Sequence, residues 1–97
     1  MGTKHPLEDK TRWCKMGGVY FFIGHVHFVL RARYRPEVVR AWGSGHRLTD
    51  DSSLAKTFSV SGAWSGRAIG QRARGVRQKV EAKLNVPLEV VWLDWGK

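Results

Sequence analysis

From Val19 to Arg35 the chain alternates. Its even positions Tyr20, Phe22, Val26, Phe28, Leu30, Ala32 and Tyr34 are apolar, whereas its odd positions begin apolar and become His25, His27, Arg31, Arg33 and Arg35. Successive side chains on a strand point to opposite faces. A run of this length therefore specifies a sheet with one face on a core and a basic face turned outward, and a slip of one residue would exchange the two. Gly24 interrupts the run either as a bulge that bends one long strand or as the first residue of a tight turn. Upstream, Trp13-Cys14-Lys15-Met16 followed by Gly17-Gly18 supplies the other arm of a hairpin on a two-residue glycine turn.

A second periodicity follows. Ile69, Ala73, Val76, Val80 and Leu84 recur at spacings of three and four, which is one face of an amphipathic helix over about 66–84. Arg72, Lys79 and Lys83 flank one side of this stripe, and Arg67, Arg74 and Arg77 lie toward the other. Pro87 ends the helical pattern, and Leu88 to Trp95 reads as a final strand with apolar residues on both faces. Between the two periodic stretches, Pro36-Glu37 opens a short helix through Val38, Val39 and Trp42. Gly43-Ser44-Gly45 ends it. His46-Arg47-Leu48, a turn over 49–53 and Leu54 to Val60 then form a second hairpin with a very short first arm. The expected architecture is α+β: a mixed or antiparallel sheet, one long helix packed on it, and a C-terminal strand, all in a single domain over 13–97 behind a flexible arm over 1–12.

Charge narrows the function. Seventeen Lys and Arg face eight Asp and Glu, for a net charge of +9. Excess like charge opposes folding, and in a small domain it points to a polyanionic partner, foremost nucleic acid. A single cysteine, Cys14, gives no internal disulfide. No apolar run reaches the ~20 residues of a membrane span, and the N-terminus lacks the order of a signal peptide. A soluble, cytoplasmic protein is expected, with no membrane partner.

Sites for catalysis are weak in this sequence. His25 and His27 share one strand face, but a Gly17-Gly18 turn sets Cys14 opposite Phe21, roughly 13 Å from His25 along the strand at ~3.3 Å per residue. No local carboxylate replaces it, so neither a metal nor another cofactor is expected. Asp50-Asp51 stands among Thr and Ser and reads as a turn rather than a catalytic pair. Ser61 and Ser65 have no base suggested by the pattern, and the Gly-Lys-Ser/Thr phosphate motif is missing. The reading is a non-enzyme.

The stretch Gly66-Arg67-Ala68-Ile69-Gly70-Gln71-Arg72-Ala73-Arg74 resembles the glycine loop of a KH domain, an RNA-binding module. In that family a Gly-basic-Val-Ile-Gly-x-x-Gly-Arg stretch precedes a long helix, a short turn and a strand. The resemblance covers about a third of the chain and departs from the pattern at Ala73, where the loop's second glycine belongs. It implies that Gly70, Gln71, Arg72 and Ala73 form a loop clamping a nucleic-acid backbone, with Arg67, Arg74 and Arg77 as its electrostatic flank. It further implies a helix-strand-strand unit in the region from Pro36 to Val60.

The sequence thus points to backbone-dominated, non-catalytic nucleic-acid binding, with RNA preferred over DNA. Its candidate residues are Arg67, Gly70, Gln71, Arg72, Ala73, Arg74, Arg77 and Lys79, with His25, His27, Arg31 and Arg33 as a second contact. Trp64, in a Ser-Gly-Ala-Trp-Ser-Gly loop, either stacks a base or caps the core. The rival reading is a viral or phage-type effector that docks on a host protein or nucleoprotein complex, since Trp and Arg dominate interface hot spots. Long strand edges also leave room for a homodimer.

Overall fold

A computed structural model describes residues 13–16 and 19–93, with side chains over 24–62 and 65–93. The order is β1 (Trp13–Met16), β2 (Val19–Ala32), β3 (Val38–Trp42), β4 (Gly45–Thr49), a 3-10 turn (Ser52–Leu54), β5 (Phe58–Ser65), α1 (Gly66–Leu84) and β6 (Leu88–Trp92). This is the α+β architecture that the two periodicities specify, with α1 packed on one face of an antiparallel sheet.

Everything pairs around β2. Phe21 lies between Cys14 of β1 and Ser65 of β5, Phe28 between Phe58 of β5 and Trp92 of β6, and Arg31 between Val38 of β3 and Glu89 of β6. A strand has two edges, so β1 and β6 follow one another along one edge of β2, while β5 and β3 share the other. The β4 strand pairs with β3 from beyond. Both β5 and β6 run antiparallel to β2; they are therefore parallel to each other, and α1 is the connection that carries the chain across β2.

Gly24 makes neither a turn nor a bulge. The β2–β5 register runs one for one through the facing pair Gly24 and Gly62, whose φ angles are 127° and 113°. Side chains rarely tolerate that conformation, so two opposed glycines let both strands adopt it together without losing register. Between β1 and β2, Met16 pairs with Val19 and Cys14 with Phe21; the expected turn at Gly17-Gly18 lies outside the described residues.

The core lies between β2 and α1. Val26, Phe28, Leu30 and Ala32 are buried together with Val39, Val60 and Leu88 against Ile69, Ala73 and Val80. Phe28 is fully buried, with the Phe58 ring stacked at 5.3 Å and the Trp92 ring edge-on at 5.4 Å. Burying one such side chain stabilises the fold by about 1.5–3 kcal/mol.

Two expectations fail between the periodic stretches. Residues 38–42 form β3 rather than a helix. Val38 and Val39 are adjacent and both buried; a strand sends such neighbours to opposite faces, and β-branched side chains favour it. Pro36 and Glu37 occupy the preceding turn, where the Ala32 N–H donates to the Glu37 carbonyl at 2.8 Å. The second hairpin also has a different partner. β4 pairs with β3 across Gly43-Ser44, with Gly43 at φ 58°, and β5 joins β2 instead. Non-local pairing to the long central strand outweighs the local turn signal. The expected arm over 1–12 and the far end of the last strand, Asp94-Trp95, lie outside the described residues.

Candidate functional site

The stripe of apolar residues decides how α1 sits. Ser65 caps its N-terminus by accepting from the Ala68 N–H at 3.1 Å. Asn85 ends it in the left-handed conformation, its N–H donating to the Glu81 carbonyl at 2.7 Å. Between these caps Ile69, Ala73 and Val80 are buried, so the remaining faces project from the sheet. They carry six cations, Arg67, Arg72, Arg74, Arg77, Lys79 and Lys83, against one acid, Glu81. Arg77 donates to Glu81 at 3.0 Å. Among the described residues the other five cations have no ion pair.

Glu81 has a second task. Its carboxylate accepts from the Leu88 N–H at 2.7 Å. The odd residues of β6 bond inward to β2, as the Leu93 N–H to His27 carbonyl bond shows, so Leu88 directs its N–H toward the open edge. The helix thereby caps the first outward donor of an edge strand. Beside this contact Gly70, Arg74 and Arg77 of α1, Arg33 beyond the end of β2, and Leu88, Val90 and Trp92 of β6 line a shallow groove.

The expected glycine loop is helical. Gly70, Gln71, Arg72 and Ala73 lie inside α1 because the Ser65 cap starts the helix before them. Ala73, 2% exposed, packs against the sheet and is withdrawn from any phosphate. A Cβ at Gly70 would meet nothing within 4 Å, so packing does not require glycine there. Among the described residues α1 is the only α-helix, and the region from Pro36 to Val60 holds strands and a 3-10 turn instead of a helix-strand-strand unit. Trp64 is likewise not in a loop: its backbone belongs to β5, opposite Phe22, and its side chain lies outside the described residues.

The sheet-face candidates are separated from α1. Val26, Phe28, Leu30 and Ala32 of β2 are buried beneath the helix, so His25, His27 and Arg31 project from the opposite face, with the two imidazoles stacked at 6.1 Å. Arg31 is bound to Glu89 through Nε at 2.7 Å and through its terminal nitrogen. Arg33 also lines the groove beside α1, as Glu89 does.

Two further clusters come from the β3–β4 hairpin. Trp42, 54% exposed, has the Arg47 guanidinium 4.4 Å and the Arg40 guanidinium 5.2 Å from its ring centroid. The alternation Arg40-Ala41-Trp42 carries this signal once residues 38–42 are recognised as a strand. On the helix side, His46 stacks on Phe58 at 5.9 Å, with Lys56 Nζ 3.4 Å from its Nε2. Burial, then Lys56 and Lys83, hold the His46 pKa below its usual value. A lysine only donates, so Nε2 accepts and the neutral ring carries its proton on Nδ1, which is buried without a partner among the described residues.

Among the described residues no three His, Cys, Asp or Glu converge as metal ligands. Asp51 caps the 3-10 turn by accepting from the Ser53 N–H and hydroxyl, at 3.0 and 2.6 Å. Those bonds hold its carboxyl pKa below the ordinary value. No described helix is long and apolar enough to cross a membrane. Comparison with family models, curated proteins and solved structures finds no match.

Proposed function

We propose that the protein binds nucleic acid without catalysing a reaction, and that α1 is its contact surface. The observation that carries this reading is the imbalance on α1: six cations to one acid, five of them without an ion pair among the described residues. Like charges crowded on one helix oppose folding and are relieved by a polyanion. Arg72 and Lys79 are exposed and reach phosphates directly, with Arg67 and Arg74 exposed beside them, while Arg77 and Arg33 line the groove. Phosphate contacts of this kind supply affinity and orientation.

The RNA preference rested on the glycine loop, and with Gly70 to Ala73 helical that support is gone. The reading is of nucleic acid as a class. The test is Arg72→Glu with Arg74→Glu, two exposed positions whose reversal leaves the core intact. Binding to nucleic acid at moderate salt falls by about a hundredfold or more, and the slope of log affinity against log salt becomes shallower by about 0.7–0.9 per lost phosphate contact. An unchanged affinity in the folded double variant removes the reading.

One observation favours a second reading. The exposed Trp42 between two arginines is the chemistry of a protein-interface anchor. It fits an effector that docks on a partner protein. No binding of the wild-type chain to any nucleic acid near physiological salt would favour this reading over the first.

A further inference from the structure

Four side chains on α1 form a line of their own. At 3.6 residues per turn, Arg67, Gln71, Arg74 and Gln78 fall within an arc of about 60°, roughly 150° from the centre of the buried stripe. All four are exposed, and none makes a side-chain hydrogen bond or ion pair among the described residues. Ala68, Gly75 and Ala82 lie alongside, so nothing bulky obstructs an approach along this line. Lys79, Lys83 and Arg72 stand on one flank of it; Arg77, paired with Glu81, stands on the other, where Arg33 also lines the groove. The outward profile of α1 is a central row of long hydrogen-bonding side chains with a row of three cations on one flank and the Arg77–Glu81 ion pair on the other.

We infer that α1 lies in the major groove of B-form duplex DNA, where Arg67, Gln71, Arg74 and Gln78 read base edges. The inference rests on the nucleic-acid reading above and names the form of the ligand. That groove is roughly 12 Å wide and 8.5 Å deep and admits one helix. Its walls are phosphates, the chemistry that the row of Arg72, Lys79 and Lys83 matches. Arginine pairs with guanine O6 and N7, and glutamine with adenine N6 and N7, so the central row is composed of the residue types that this groove reads. From Arg67 to Gln78 the row extends roughly 16 Å at ~1.5 Å per residue, or about five base steps at ~3.4 Å each. The deep, narrow major groove of A-form RNA excludes a helix, and a single strand offers no pair of phosphate walls.

The test uses the full chain and labelled oligonucleotides of one mixed sequence, as DNA duplex, RNA duplex and single strands. The DNA duplex is expected to bind about tenfold or more tightly than the other forms. A DNA duplex with 7-deazapurines, which lacks the N7 acceptors of the major groove but keeps its backbone and minor groove, is expected to bind about tenfold more weakly than the natural duplex. Gln71→Ala with Gln78→Ala is expected to reduce that difference by the share that adenine N7 carries, with Arg67 and Arg74 still reading guanine, while keeping the thermal stability of the wild type. Equal or tighter binding to RNA duplex or single strands, or indifference to 7-deazapurines, overturns the inference. If in that case the Arg72→Glu, Arg74→Glu variant still loses affinity, nucleic-acid binding stands and only the groove insertion falls.

Discussion

On the open face of the sheet the arginines are engaged; on α1 they are not. Arg31 is held by Glu89, and Arg40 and Arg47 lie over the Trp42 ring. On the helix, Arg77 alone has an acidic partner among the described residues, and Arg67, Arg72, Arg74, Lys79 and Lys83 project without one. Both surfaces are basic, so charge alone does not separate them. The sheet face balances its cations locally, through an ion pair and through aromatic contacts worth about 0.5–1 kcal/mol each at exposed sites. The helix leaves the balancing to something else. Positive charge is informative about a partner only where the fold has not already answered it.

The largest effect that tests this contrast is on stability. Ile69→Ala empties a fully buried position beneath α1 and costs about 2–5 kcal/mol. Arg31→Ala removes a half-exposed ion pair on the other face and costs at most about 1 kcal/mol. Both are measured by chemical denaturation; a loss at Arg31 comparable to that at Ile69 would mean that the sheet face is a structural network rather than a surface. Next come the glycines of α1. A Cβ at Gly70 or Gly75 meets nothing within 4 Å, so Gly70→Ala and Gly75→Ala each gain up to about 1 kcal/mol from helix propensity. A gain at both positions shows that the outward side of α1 is not optimised for stability, whereas a loss at either reveals a packing role.

The smallest effect is one of slope. Burial, Lys56 and Lys83 hold the His46 pKa below its usual 6.5, so between the two values the folded state binds fewer protons than the unfolded one. Stability is then full above about pH 6.5, declines as the pH falls through that value, and levels off below the folded pKa. Protonation of Nε2 also ends its role as acceptor for Lys56. Thermal melts at neutral and mildly acidic pH should show a steeper decline for the wild type than for His46→Phe. Equal slopes would place His46 outside the balance of charge around α1.

The parts of this molecule legible in its sequence are those whose pattern is local and long. The stripe from Ile69 to Leu84 lies within the nineteen residues of α1, and the alternation after Val19 marks β2 and its buried face. Val38, Val39 and Trp42 misled because their spacing also fits a helix turn, and the pairing of β3 with β4 and of Val38 with Arg31 decides otherwise. Misreading β3 hid Trp42 between its arginines. The glycine loop failed for a related reason: a short motif does not state where a helix begins, and the Ser65 hydroxyl begins this one ahead of Gly70. That Arg33 lines the groove beside α1 depends on the pairing of β6 with the end of β2, which alternation does not indicate.

The placement of β2 also bears on how the chain acquires its shape in time. The strand's nearest partners in sequence, β1 and β3, occupy only its ends, while its central residues wait for β5 and β6. Phe28 pairs with Phe58 and then with Trp92, so both closures enclose long stretches of chain. Contacts of such separation slow folding. During synthesis an unpaired, aromatic-rich strand therefore precedes its protection, and the newborn chain passes through an interval of vulnerability to association that ends only when its last strand is in place.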